Sequence, residues 1–365
     1  MNRFIIQYYF RTPATLIRKE DRQNRHLPTW KFTYTDIEIA LNDSIANIGG
    51  CDLPVGLNMI IDLQANSEQE AIEKSMNLCE MNANLLAFST FAFCESGRIT
   101  NIIRFNENKL PEFKYSIYEF GEKDLLFGSS ILIDEDIFTK IYEAYNKCQH
   151  QQRVMRALSW FRKGIEEEQS TDEFTSYWIG LEVIKCVLRR NLKTQVKSPS
   201  EWDGVKNIYE SVLGYSSFIK VNELRNELLH GFRELSYDFI NEIVTYIEPV
   251  RKTLITGLGE ILGLEKDDID SIRTKTIRKT TLKPLTIIQG EIDDLPIEFE
   301  KFVEDCPKIA LEMQDMNCEF DTEGDLRISG KQKLRCSPNA KFHLKSSQLL
   351  ASDAKIKSAS IKLQK

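Results

Sequence analysis

The residues whose types and spacing could support chemistry lie in one short run, VNELRNELLHGF, from Val221 to Phe232. Val221, Leu224, Leu228 and Phe232 recur at helical spacing, which predicts a helix with these four toward a core. Arg225, Asn226 and His230 are then left to its other faces. Asn226 and His230 stand four apart and share a face, and the long fork of Arg225 can swing toward the same point. Gly231 suits the position just past a helix end. His230 is therefore expected in the last turn, where the helix dipole favours the imidazolium form. Such a histidine can take a proton from a ribose 2′-hydroxyl or give one to the departing 5′ oxygen, each step worth roughly 10²–10⁴-fold. Arg225 would supply a planar charge for a phosphorane-like transition state. Asn226 would hydrogen-bond the imidazole and fix its tautomer. The chemistry this suggests is RNA cleavage without a metal, and its need for a 2′-hydroxyl means that DNA is not cut.

Positioning these groups requires a helical scaffold, and the pattern of the chain supplies one. From Asp134 the hydrophobic period changes from two to 3.6. Asp134 to Glu168 is predicted as one long helix, Thr171 to Leu192 as a second, about Val205 to Phe232 as a third, and Tyr237 to Leu262 as a fourth. Helices of this length joined by short loops and one longer crossover form a bundle. Ahead of it, Phe4 to Phe10, Trp30 to Leu41, Leu57 to Ala65, Arg98 to Phe105 and Phe113 to Phe120 read as strands. The alternation places Trp30, Phe32 and Tyr34 on one side of theirs. Ser67 to Phe91 reads as a helix with Ser67 as N-cap and Glu70 as its capping-box partner. The predicted fold class is α+β: an N-terminal α+β domain with a mainly antiparallel sheet (1–130), a four-helix bundle (134–264) and a small, charge-segregated β-rich region (280–365).

The segment ALSWFRKGIEEEQSTDEFTSYWIGLEVI, followed downstream by RNELLHG, resembles the HEPN superfamily and, within it, the Apea-like HEPN proteins. Their hallmarks are an aromatic-rich first helix, a second helix of the form F-x-x-x-W-x-x-x-E, and a third ending in R-x4-6-H with a polar residue after the arginine. The resemblance covers roughly Asp134 to Leu262 and implies a four-helix, HEPN-like bundle. It further implies a metal-independent endoribonuclease that works as a homodimer or higher homo-oligomer, with two motif copies in one cleft and 2′,3′-cyclic phosphate products. By position it implies Arg225 and His230 as catalytic, Asn226 as supporting them, and Glu182 as the second-helix acid, which could equally pair with a nearby base. The setting it implies is bacterial antiphage defence or a toxin–antitoxin system, with single-stranded host or phage RNA as target and a phage-derived or antitoxin protein as a further partner. Other HEPN domains are non-catalytic dimerisation or interaction modules, which is the alternative reading.

Arg189, Arg190, Lys193 and Lys197 could hold RNA phosphates at the end of the second helix, or simply satisfy that helix's dipole. Trp160 and Trp178 lie at helical spacing, so both are expected in the core. The net charge of −7 excludes a uniformly basic nucleic-acid coat. Charge is instead segregated: residues 291–325 hold thirteen acidic side chains and two lysines, and residues 331–365 hold nine Lys or Arg and one Asp. The eight cysteines form no C-x-x-C pair, and His26, His150 and His343 have no metal-ligand spacing, so neither metal nor cofactor is expected. Gly-rich phosphate loops, nucleophile elbows and H-E-x-x-H are missing. With no apolar run of membrane-spanning length and no leader-like start, a cytoplasmic location is expected.

Overall fold

The computed structural model describes residues 1–16, 29–48, 51–105, 112–115, 131–192, 199–275, 285–293, 309–320, 326–336, 341–350 and 356–364. They fall into two compact units, one holding the described residues of 1–44, 56–119 and 131–279, the other those of 45–55 and 280–365.

The first unit is α+β. β1 (Asn2–Phe10) lies inside an antiparallel sheet between β5 (Cys51–Ala65) and β6 (Arg98–Phe105). The full strand order adds β3 (Thr29–Tyr34) and β4 (Ile37–Ile48) beyond β5, and β7 (Glu112–Tyr115) beyond β6. The strand expected over Trp30 to Leu41 is instead a hairpin, because Thr35 adopts a left-handed φ of 56° and turns the chain between β3 and β4. The alternation within β3 places its rings as expected. Trp30 and Phe32 meet Phe138 at 6.0 and 6.1 Å, and Phe32 meets Tyr142 at 4.9 Å. Short β2 (Ala14–Thr15) and β8 (Ile131–Leu132) pair in parallel.

α1 (Glu68–Thr90) begins at Ser67, whose hydroxyl accepts the Glu70 N–H. The Glu70 carboxylate reaches back one residue further than a capping box would, to the Asn66 N–H at 2.9 Å. The single helix expected over 134–168 is two, α2 (Glu135–Lys147) and α3 (Gln151–Glu166). Cys148 is extended there, and the Gln151 side chain donates to the freed carbonyls of Tyr145 and Asn146. The apolar period continues across this break with neither Gly nor Pro to mark it. α4 (Ser170–Leu192) follows as expected.

The third helix is also interrupted. α5 (Asp203–Lys206) runs into a π-helical stretch over Asn207–Val212, and α6 (Phe218–Leu229) starts only after Gly214 and Ser217, both left-handed at φ 70° and 69°. α7 (Tyr237–Leu262) has the predicted limits and ends on left-handed Gly263, and α8 (Lys266–Arg273) was not anticipated.

The boundary expected near residue 134 falls inside this unit. One apolar cluster runs from Phe4 through α1 and the bundle to Ile272. Phe161 of α3, fully buried, meets Phe88 and Phe91 of the α1 end at 5.4 Å each and Tyr177 of α4 at 5.7 Å. Beside it, Arg162 pairs with Glu80 of α1 at 2.8 Å and lies 3.7 Å from Glu166.

In the second unit, β10 (Ile309–Phe320), β11 (Leu326–Cys336) and β13 (Ile356–Gln364) form one sheet, while β9 (Leu285–Asp293) and β12 (Lys341–Leu350) pair antiparallel. The two charge-segregated segments meet in this sheet. Register sets Glu312 opposite Lys333 and Glu319 opposite Arg327.

Two outcomes follow from the shared core. Phe161→Ala should lower stability by about 3–5 kcal/mol, read as a lower denaturant midpoint with sheet and helix signals still lost together; separate transitions would contradict a common core. Burial pushes the Glu166 carboxyl from its ordinary 4.5 up to about 7, with Arg162 opposing the shift and Glu95, Glu80 and Glu167 adding to it. The folded state therefore holds a proton that the unfolded state releases, so stability falls as pH rises from 4.5 to 7. Glu166→Gln should flatten that part of a stability–pH profile.

Candidate functional site

The site is assembled from the end of α6 and the middle of α4. Val221 and Leu224 are buried and hold α6 against the bundle, with Leu228 partly buried behind them. Phe232, expected on the same core stripe, is 76% exposed. The cause is the helix end. His230 is the C-cap, and Gly231 turns left-handed at φ 64°. The Phe232 N–H donates to the Glu227 carbonyl at 3.0 Å, the long bond of a Schellman motif, which carries Phe232 off the helical path.

Arg225 is clasped from two sides. Its Nη2 donates to Glu182 Oε1 of α4 in a tight ion pair, and its Nη1 donates to Asn226 Oδ1 at 2.9 Å. Glu182 is itself aimed from the core. Trp178, fully buried among Phe174, Trp202 and Phe218, donates its indole N–H to the same Glu182 oxygen at 3.2 Å. The pair is not sealed off, since the Arg225 and Glu182 side chains keep 21% and 29% exposure. Arg225 Nε is buried with no acceptor.

Asn226, expected to bond the imidazole, turns its side-chain oxygen to the guanidinium. A short amide side chain one residue from Arg225 reaches Nη1 more directly than it reaches a ring one turn later. Among the described residues the His230 ring makes one contact, a tilted approach to Phe232 at 5.4 Å. Leu229 to Asp238 are all exposed, and Leu229, Phe232, Leu235 and Tyr237 form with Ile219 and Val244 a set of large apolar side chains in solvent. Arg233 ties this stretch down. It bonds Glu242 at 2.8 Å and Glu227 at 3.4 Å, and it lies 4.5 Å over the Phe239 ring. Lys220 and Arg233 together hold the Glu242 carboxyl below its usual range.

The other expected RNA contacts are dispersed. Arg189 donates Nε to the Pro199 carbonyl at 3.0 Å and so anchors the far end of the crossover. Arg190 is exposed, with no acidic partner among the described residues. Lys193 and Lys197 lie outside the described residues, as does His26. His150 lines a cavity of about 290 Å³ with Lys147, Cys148, Asn191 and Gly263, apart from Arg225 and His230. No group of three potential metal ligands occurs among the described residues, and none of the described helices is long and apolar enough to cross a membrane. Sequence reasoning missed Trp178 as the donor that orients Glu182. The i, i+4 spacing of the two was the available signal.

No family model matches the chain, and it matches neither a curated protein nor a solved structure.

Glu182→Gln should keep the shape of the clasp while removing the charge that compensates Arg225. The expected loss is about 1–2 kcal/mol, read from the denaturant midpoint, with little change in Trp178 packing by near-UV circular dichroism. An unchanged midpoint would show the pair to be energetically idle.

Proposed function

We propose that the protein is a metal-independent endoribonuclease of the HEPN type, acting as a homodimer on single-stranded RNA, with Arg225 and His230 at the reacting phosphate. The observation that carries this reading is the pairing, at one helix end, of a clasped guanidinium with an exposed imidazole. Arg225 is held by Glu182 and Asn226, which fixes the fork before any substrate arrives, and preorganised charge of this kind stabilises a transition state without reorganisation. His230 is exposed, so a ligand can reach its ring. One imidazole cannot serve as base on the 2′-hydroxyl and acid on the 5′ oxygen at the same moment, so a second copy of the motif is needed. The apolar collar of Phe232, Leu235 and Tyr237 gives that copy a surface to bury. Attack of the 2′ oxygen on phosphorus expels the 5′ oxygen, which takes a proton, and leaves a 2′,3′-cyclic phosphate. A cytoplasmic setting in antiphage defence or toxin–antitoxin control belongs to the same proposal.

One observation favours the second reading, a non-catalytic dimerisation or interaction module: Glu182 already neutralises the guanidinium. Cleavage with chelator present separates the two. The wild type should cut single-stranded RNA in EDTA and leave cyclic phosphate ends. His230→Ala and Arg225→Ala should each lower the rate by roughly 10²-fold or more, the histidine variant at unchanged melting temperature. Wild-type cleavage no greater than that of His230→Ala would leave only the module. Phe232→Asp with Leu235→Asp should shift the mass in solution from dimer to monomer and lower the rate with it.

A further inference from the structure

α3 has a largely exposed face. Its Phe161 side packs on α1 and α4, and its Ala157 carbonyl lies close to Gly180 of α4. The remaining side carries Arg153, Arg156, Trp160 and Lys163. At 100° per residue these four fall within about 80° of arc and extend about 15 Å along the axis. Arg153, Arg156 and Lys163 are exposed, and no Asp or Glu occurs between Gln151 and Ile165. Arg156 has no acidic partner among the described residues, Arg153 donates only to the Val183 carbonyl at 3.5 Å, and Lys163 has a long 3.8 Å approach to Glu167. Trp160 departs from its expected place. It is half-buried and stands outside the apolar cluster that takes in Trp30, Trp178 and Trp202, with Lys163 Nζ 4.9 Å from the centre of its ring.

We propose that this stripe of α3 is a docking track for single-stranded RNA, its cations on the phosphates and Trp160 stacked on a base. An indole flanked by exposed cations matches the two demands of a single strand, a polyanionic backbone and unstacked rings. A duplex hides its ring faces, which leaves the indole without a stacking partner. About 15 Å accommodates two or three nucleotides. The Arg153 end touches the Val183 carbonyl of α4. Binding along the track does not rest on the nuclease reading.

The test uses the full-length His230→Ala protein, which leaves the RNA uncut, and the anisotropy of a fluorescent 20-nucleotide oligouridine across a salt series. Replacing Arg153, Arg156 and Lys163 by Gln should weaken binding at least 10-fold and lower the salt slope by about 2. Trp160→Ala should weaken it about 5-fold or more with the slope unchanged, and Trp160→Phe should restore it; melting curves confirm that each variant folds. The track is overturned if the triple variant binds like its parent, if the parent does not bind, or if an RNA duplex or phosphatidylserine vesicles bind as tightly with the same dependence on these residues. Stripe-dependent binding without cleavage by the otherwise unaltered chain would sink the nuclease reading alone. Cleavage with an unchanged KM in the triple variant would sink the track alone.

Discussion

One carboxylate oxygen joins the interior of the bundle to its surface. Glu182 Oε1 accepts from the buried indole of Trp178 and from the guanidinium of Arg225. A charge at the margin of a core is costly unless it is both paired and hydrogen-bonded. Here each condition is met by a different neighbour. Trp178 is in turn wedged by Phe174, Trp202 and Phe218, so the aim of the carboxylate is set by aromatic packing that involves α4, the end of the crossover and the start of α6. The direction of Arg225 is thus a property of the bundle rather than of its own helix.

The end of α6 depends on a different constraint. The left-handed turn at Gly231 leaves His230 and Phe232 in solvent, while Arg233 fastens the departing chain to Glu227 and Glu242. Exposed apolar side chains on a tethered segment lose less conformational entropy when covered than they would on a loose one. On the proposed reading, this suits exposed Phe232, Leu235 and Tyr237 to the second subunit.

Much of this was legible in the residues. The period of two in β1 and β3, the Ser67 cap, the limits of α7 and the α+β class all follow from side-chain spacing and cap chemistry. So does the placement of Arg225, Asn226 and His230 at a helix end, because Gly231 announces it. What spacing concealed were interruptions that leave the apolar stripe intact. The break at Cys148 is stabilised by the Gln151 side chain, and a polar residue satisfying carbonyls five and six residues back has no periodic signature. The break before α6 did have a signal, Gly214 with Ser216 and Ser217 shortly after it, outweighed by the apolar residues on either side. Phe232 illustrates the same limit. Its position fits a core stripe only while the helix continues, and the left-handed glycine that removes it lies one residue earlier. Glu182 was legible as an acid that could pair with a nearby base, but its choice of Arg225 depends on how α4 and α6 cross.

The continuity of the apolar cluster from Phe4 to Ile272 bears on how such a chain can be rearranged. Helices that close on one another alone can be passed between proteins as a cassette. Here Phe161 closes on Phe88 and Phe91, and Phe138 on Trp30 and Phe32, so a helical segment moved without its strands would carry open wounds in its packing. Recombination that preserves the fold must transfer the sheet, its long helix and the bundle as one inheritance.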